Sequence, residues 1–324
     1  MKPSLITAFT FLLFFAACDA PKMPLPGVTG RANELVVVIK DPIWEGHLGD
    51  TVFSALTASV YGLPQPEPMF DVVQIRPSAF SSIFKTHRNV IVFNINDTLE
   101  PRLKMRKNVW AKPQTVIEVS GPDEKTIEEL FLKRSDKVID HYLAAEEERT
   151  LVSYRAQKNE EAITTLKSDL GVTLDIPKGY SIVRKEEDVQ WIRYQTKDVT
   201  QSILVYTEPY ARDSTFSPHM MAAVMNMFTE RVVPGPNKGS FMKINTVYPV
   251  QYTETELADR YASELRGLWD LEGGIMGGSF VCRALLDERF NRVIYVHTFL
   301  FAPGKDKRNY MRQLEAILAS TRLS

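Results

Sequence analysis

Apolar residues in the first third of the chain fall in short unbroken runs: Leu35-Val36-Val37-Val38-Ile39, Val90-Ile91-Val92-Phe93 and Val116-Ile117-Glu118-Val119. Runs without alternation predict strands buried on both faces, as in a sheet covered by helices on each side. Asp71-Val72-Val73-Gln74-Ile75 is a fourth candidate strand. Between them, Asp50 is placed to cap a helix carrying Val52, Phe53, Leu56 and Val60, and Ser78 to cap another carrying Ile83 and Phe84. Strands alternating with helices predict an α/β N-terminal domain over residues 33–122.

From Asp123 to Leu170 there is no proline or glycine and charge is dense. Ile127, Leu130, Phe131, Val138 and Tyr142 recur at helical spacing, followed by Glu146-Glu147-Glu148-Arg149. This predicts a charged helical junction over residues 123–170, its charge cluster forming a solvated face. Beyond Gly171 the pattern changes to strand-like segments joined by short polar turns, at Tyr180–Arg184, Val189–Tyr194, Ser202–Tyr206, Ser279–Leu286 and Arg292–Phe301. Short loops of this kind favour antiparallel pairing. Ser217-Pro218 opens a helix with a cap and a first-turn proline. Thr253-Glu254-Thr255-Glu256 reads as a capping box for a helix presenting Leu257, Tyr261, Leu265 and Leu268. A last helix is predicted from Lys307 to Ser320. Residues 171–324 therefore read as an α+β domain with a mainly antiparallel sheet, and the whole as a two-domain mixed alpha-beta protein.

The extreme N-terminus has a separate logic. Met1-Lys2 precedes eleven residues, Leu5 to Phe15, that are almost wholly apolar, too few for a span that needs roughly twenty. They fit the apolar region of a signal peptide over residues 1–17. A cut after Ala20 would set Pro21 behind the scissile bond. Phe15-Ala16-Ala17-Cys18 instead resembles the lipobox at which a bacterial lipoprotein cysteine is acylated, with Phe15 departing from the usual aliphatic residue. The resemblance implies that Cys18 is the lipid anchor. Its several acyl chains would hold the protein on its membrane, because stable anchoring takes at least two chains or signals. Pro21, Pro24, Pro26, Gly27 and Gly30 then mark residues 18–32 as the lipidated cysteine and a tether.

Acids and bases nearly cancel, 40 against 39, and no basic block stands out, so nucleic acid is not an expected partner. With Cys18 acylated, Cys282 would be the one remaining cysteine, leaving no intramolecular disulfide. Cys282 is expected to be a buried strand residue rather than a nucleophile.

"NELVVVIKDPIWEGHLGD", "YGLPQPEPMFDVVQI", "HRNVIVFNI" and "VWAKPQTVIEVSGP" together resemble a family of lipoproteins typical of the Bacteroidota, built on a domain of unknown function. The resemblance is densest before Asp123. It implies a lipid anchor and a cell-envelope location, with no catalytic role to carry over.

The five histidines are too scattered for a local metal-ligand pair, and there is no H-E-x-x-H, Cys-x-x-Cys, calcium loop or G-x-S-x-G elbow. Neither a metal nor a cofactor is expected. "LEGGIMGGSF" lacks the Lys-Ser/Thr of a phosphate loop and reads as a helix end leading into a strand. The candidate binding surface joins two stretches. The loop Asp41 to Asp50 offers Trp44, Glu45, His47 and Asp50 after the first buried strand, where α/β sheets bind ligands. The rigid segment Gly62 to Pro68 offers Pro64, Pro66 and Pro68 as a wall. The expectation is an envelope lipoprotein facing the periplasm, a non-catalytic binding or assembly module for an envelope protein or glycan. The alternative is an envelope hydrolase acting on glycan or peptide, which would need Asp50, Glu45 and His47 to converge in a cleft.

Overall fold

Strand β1 (Glu34–Val38) consists of Glu34, Leu35 and three valines, and its four apolar side chains are buried. Branched side chains suit a pleated surface packed on both sides. The structure, a computed structural model, describes residues 24–324, so Cys18 and the signal-peptide segment lie outside the described residues. β1 pairs in parallel with β2 (Asp71–Ile75) on one side and β3 (Asn89–Ile95) on the other. β3 continues in parallel to β5 (Thr115–Gly121), and β4 (Arg102–Lys107) closes that edge antiparallel to β5. The sheet order is β2-β1-β3-β5-β4.

The two faces of this sheet are covered unequally. Leu35, Val37, Ile91, Phe93, Ile117 and Val119 pack under α2 (His47–Leu56), α4 (Glu124–Leu132) and α5 (Ser135–Ala156). Val36, Val38, Val90 and Val116 face the other way and, besides the strand neighbours Ile75 and Val92, meet Phe80, Val109 and Trp110 from short connections. Helices on both faces, as the apolar runs suggested, are therefore not what forms. Ser78 lies in a three-residue turn, α3 (Ser82–Lys85) is a single turn, and Ile83 on it is 74% exposed. Asp50 sits inside α2 rather than capping it; the cap position is Gly46, Phe53 faces solvent and Val60 lies beyond the helix.

The second half is built on a larger antiparallel sheet. Its strands are β7 (Ser181–Lys185), β8 (Val189–Gln195), β9 (Thr200–Pro209), β10 (Phe241–Ile244), β11 (Gln251–Leu257), β12 (Arg260–Glu272), β13 (Gly277–Asp287) and β14 (Arg292–Phe301). The order is β10-β12-β13-β14-β9-β8-β7, with β11 also paired to β12. α6 (Glu160–Leu170) and α8 (Arg308–Ala319) cover one face, and α7 (Pro218–Val232) covers the other. Ser217 caps α7 with its side chain, as its position before Pro218 predicted. β6 (Val172–Thr173) pairs with β15 (Arg322–Leu323), so the chain end folds back on the entry to this half. The architecture is an α/β sheet followed by an α+β half with an antiparallel sheet.

Two segments differ from the sequence reading. Thr253 to Glu256 lie in β11, and Leu257, Tyr261, Leu265 and Leu268 belong to a hairpin, not a helix. The two-residue turn is Ala258-Asp259, both at positive φ (53° and 57°), the twist that hairpin turns require. "LEGGIMGGSF" is likewise a strand-to-strand loop, from β12 to β13.

The charge cluster of the junction is only partly a solvated face: Glu147 and Glu148 are exposed, while Glu146 and Arg149 turn inward. Glu146 is buried, 3.1 Å from Arg88 and 3.0 Å from Arg149, and accepts a hydrogen bond from Asn89 Nδ2 at 2.6 Å. Arg149 in turn donates to Arg88 O, Asn89 Oδ1 and Thr115 Oγ1, tying α5 to the amino ends of β3 and β5. Nearby, the tether segment runs along the first half: Lys112 N–H bonds Pro26 O, and Thr29 exchanges backbone bonds with Thr86 and Arg88. Among the described residues no helix is long and apolar enough to cross a membrane.

Candidate functional site

The incompletely covered face of the first sheet carries a cleft of about 530 Å³. Its floor follows from strand alternation. In β4, Leu103 and Met105 turn one way and Arg102, Lys104 and Arg106 the other. Register sets Arg102 opposite Ser120 and Lys104 opposite Glu118 on β5. Asn94 of β3 continues the row, and Lys40 and Asn96, just past the carboxyl ends of β1 and β3, form the rim. β2 and β3 lie on opposite sides of β1, so the chain reverses its winding here, and open α/β sheets bind ligands in such crevices.

The cleft is electrostatically one-sided. Glu118 is its one acid and lies 3.1 Å from Arg106. Among the described residues, no carboxylate oxygen lies within 4.0 Å of Lys40, Arg102 or Lys104. Free cations lining a concave low-dielectric surface favour an anion, and charge-assisted hydrogen bonds to it are shorter and stronger than neutral ones. The cleft can hold and orient negative charge; its lining offers no hydroxyl–histidine or thiol–histidine pair for nucleophilic chemistry.

The residues singled out in the sequence are placed apart. Trp44 ends α1 (Asp41–Trp44), half-buried, edge-to-face with Phe53 at 6.0 Å. Glu45, His47 and Asp50 are exposed, and His47 Nδ1 lies 2.7 Å from Glu128 of α4, which also accepts from Thr51. Of the stretch Asp41 to Asp50, Ile43 lines the basic cleft, beside Lys40 just before it. Pro64, Pro66 and Pro68 are exposed but lie before β2, at the opposite end of the sheet. β1 and β2 run parallel with Glu34 opposite Asp71, so Trp44 leaves one end of the sheet and Pro68 enters at the other. The two stretches do not share a surface.

The proline segment is instead part of the contact between the halves. Glu67, buried among the prolines, accepts the backbone N–H groups of Lys307 and Arg308 at the start of α8. Arg308 donates to Pro68 O and to Asp71, and Leu63 sits in the core of the second half. A second cleft, of about 430 Å³, lies between α5 and α8 and includes Glu147, Arg312 and Glu315. Burial alone would raise the Glu315 carboxyl, but Arg266 (2.6 Å) and Arg312 (2.9 Å) outweigh it and hold it down at about 2. Glu147 is raised by burial, against the pull of Arg283.

The basic row was missed in the sequence although its signal is present. Arg102-Leu103-Lys104-Met105-Arg106-Lys107 alternates with period two, which puts three cations on one strand face. Counting charges along the chain dilutes that pattern.

An open α/β sheet with a basic crevice, joined to a helix-covered antiparallel sheet, defines a mixed α/β protein. The chain belongs to the family described as domain of unknown function DUF4837, whose model matches residues 158–320. A second model, domain of unknown function DUF8532, matches residues 28–155. Similar solved structures include LpqN, involved in cell envelope biogenesis of Mycobacterium tuberculosis, at 13% identity and TM-score 0.29 over 47% of this chain and 83% of that one. The Ran-binding protein Mog1p of Saccharomyces cerevisiae aligns at 9% identity and TM-score 0.32 over 47% of this chain and 90% of that one. No curated protein matches the chain.

Proposed function

We propose that the protein is a lipid-anchored, non-catalytic binding module of the cell envelope that holds an anionic glycan in the cleft beside β4, facing the periplasm. The observation that carries the ligand assignment is the row Lys40, Arg102 and Lys104, three cations without a carboxylate partner in one crevice. The anchor rests on Cys18 at the end of a short apolar segment and on the prolines that follow. A hydrolase built on Asp50, Glu45 and His47 is not favoured, because His47 is engaged by Glu128 across the α2–α4 contact.

The test is calorimetric titration with a uronic-acid oligosaccharide and with its neutral counterpart. The acidic sugar should bind, its affinity should fall with added salt, and Lys104→Glu with Arg102→Glu should abolish binding without unfolding the protein. Equal binding of the neutral sugar, or an unaffected double variant, would overturn the ligand assignment. For the anchor, a fatty-acid analogue should label the wild type in cells and not Cys18→Ser.

A further inference from the structure

The second half contains a pocket unrelated to the basic cleft. α7 covers the antiparallel sheet as far as Val232, with Phe228 stacked on Tyr206 at 4.2 Å. Beyond it the chain turns through Pro234-Gly235-Pro236, and a cavity of about 210 Å³ remains between that turn and the sheet. Alternation sends Trp191 and Arg193 of β8, Ser202 of β9, Phe299 and Phe301 of β14 and Trp269 of β12 to this same face. The aromatic walls are continuous: Trp269 lies 6.1 Å from Phe299 and 6.4 Å from Phe301, and Trp191 6.3 Å from Phe299.

Polar groups in this lining are left unmatched. Ser202 is fully buried and its Oγ has no hydrogen-bond partner; Trp191 Nε1 is also buried without one. Ser202 faces Arg193 directly across the β8–β9 ladder. The Arg193 guanidinium lies over the Trp191 ring at 5.2 Å, and among the described residues no carboxylate lies within 4.0 Å of it. Buried donors without partners are uncommon in folded proteins and mark places where a partner is missing. An indole N–H can only donate, and a guanidinium only donates, so the missing group must accept.

We infer that this pocket binds a small aromatic carboxylate, its ring against Trp269, Phe299 and Phe301 and its carboxylate toward Arg193, Ser202 and Trp191. The volume fits one ring with a short chain, since a cavity of roughly 150 Å³ already admits benzene. Flat aromatic walls favour a flat apolar body. A planar guanidinium already stacked on an indole is preorganised for a carboxylate.

The experiment is titration of the full chain with 3-phenylpropionate and with 3-phenylpropanamide, read by calorimetry and by the indole N–H resonance of Trp191. The acid should bind with a Kd on the order of 1 mM or tighter, in keeping with a small ligand of few heavy atoms. The amide should bind roughly tenfold more weakly, as loss of a charge-assisted contact implies. Arg193→Gln should erase the preference for the acid. Ser202→Ala should weaken the acid while leaving unfolding stability equal or higher, because the hydroxyl it removes has no partner in the free protein. A tripeptide ending in a free phenylalanine carboxylate carries the same chemistry. Tighter binding than the acid would make a chain terminus the source and weaker binding the free acid; both outcomes support the pocket. Equal affinity for acid and amide, an unchanged Arg193→Gln variant, or absence of binding by either probe would overturn it.

Discussion

The carboxylate of Glu67 receives the backbone N–H of Arg308 at 2.8 Å and, with its other oxygen, that of Lys307 at 2.7 Å. A residue from the first half thereby caps the helix that covers the second. α8 has no side-chain cap of its own at Lys307, and the first N–H groups of a helix need an outside acceptor. A negative charge there is favoured further by the helix dipole. The prolines on either side hold the segment extended, so little freedom is lost when Glu67 docks.

Glu67→Ala should therefore lower unfolding stability by about 2 kcal/mol, the upper range for loss of a cap, because the amide groups it leaves are buried. Pro64→Ala, exposed and without a polar partner, should cost less than about 1 kcal/mol. Urea denaturation of the two variants checks the order. Equal effects would mean that the segment acts through its rigidity rather than through its carboxylate.

His297 makes stability depend on pH. It is fully buried among Tyr206, Phe280 and Phe299, neither ring nitrogen has a partner, and burial holds its pKa down at about 3 against the ordinary 6.5. The unfolded chain takes up a proton below 6.5 that the folded chain refuses. Stability is complete above 6.5 and declines as pH falls toward 3, by about 1.4 kcal/mol per pH unit at most. Glu315 adds a second contribution, a stabilisation that is complete above its ordinary 4.5 and is lost as pH falls toward about 2. Burial also lowers His141 and raises Glu147 and Glu208, so between pH 6.5 and 4.5 the difference between wild type and a His297 variant reads this histidine. His297→Phe should be less sensitive to acid there than the wild type, and parallel curves would show that the ring is protonated in the fold.

Arg149 should be among the costliest positions to truncate. It neutralises buried Glu146 and satisfies acceptors at the amino ends of β3 and β5. Arg149→Ala leaves a buried carboxylate with Arg88 as its one cation and Asn89 as a neutral donor, and breaking a buried pair typically costs about 3–5 kcal/mol. The double change Arg149→Met with Glu146→Leu should recover much of the loss, since an apolar pair of similar size needs no desolvation. A double variant as weak as the single one would locate the effect in the strand-end hydrogen bonds instead.

Legibility in the sequence tracked how local each determinant was. β1, β3 and β5 announce themselves as unbroken apolar runs because both of their faces are covered where the valines lie. β4 did not, since only Leu103 and Met105 interrupt its cations and its other face is open. The β11–β12 hairpin imitated a helix because Leu257, Tyr261, Leu265 and Leu268 fall at three- and four-residue intervals. Its turn, Ala258-Asp259, lacks the glycine that usually marks positive φ. Glu146 looked solvated because its partner Asn89 stands 57 residues away. The basic crevice has the same origin: Lys40 and Arg102 meet only after the sheet has formed.

The turn between α1 and α2 separates a structural from a surface role for Trp44. A Cβ on Gly49 would sit 1.8 Å from the Trp44 carbonyl oxygen, so backbone approaches backbone with no room for a methyl group. Gly49→Ala must push the two helices apart, and it should cost about 3 kcal/mol, at the high end for overpacking. Trp44 itself is half-buried, with one aromatic partner that is itself 47% exposed. Trp44→Ala should cost about 2 kcal/mol, below the 3–5 kcal/mol of a core aromatic. Chemical denaturation of both variants decides between the roles. A tryptophan costlier than the glycine would make Trp44 a core anchor, and the smaller loss expected leaves its exposed edge free to touch a ligand.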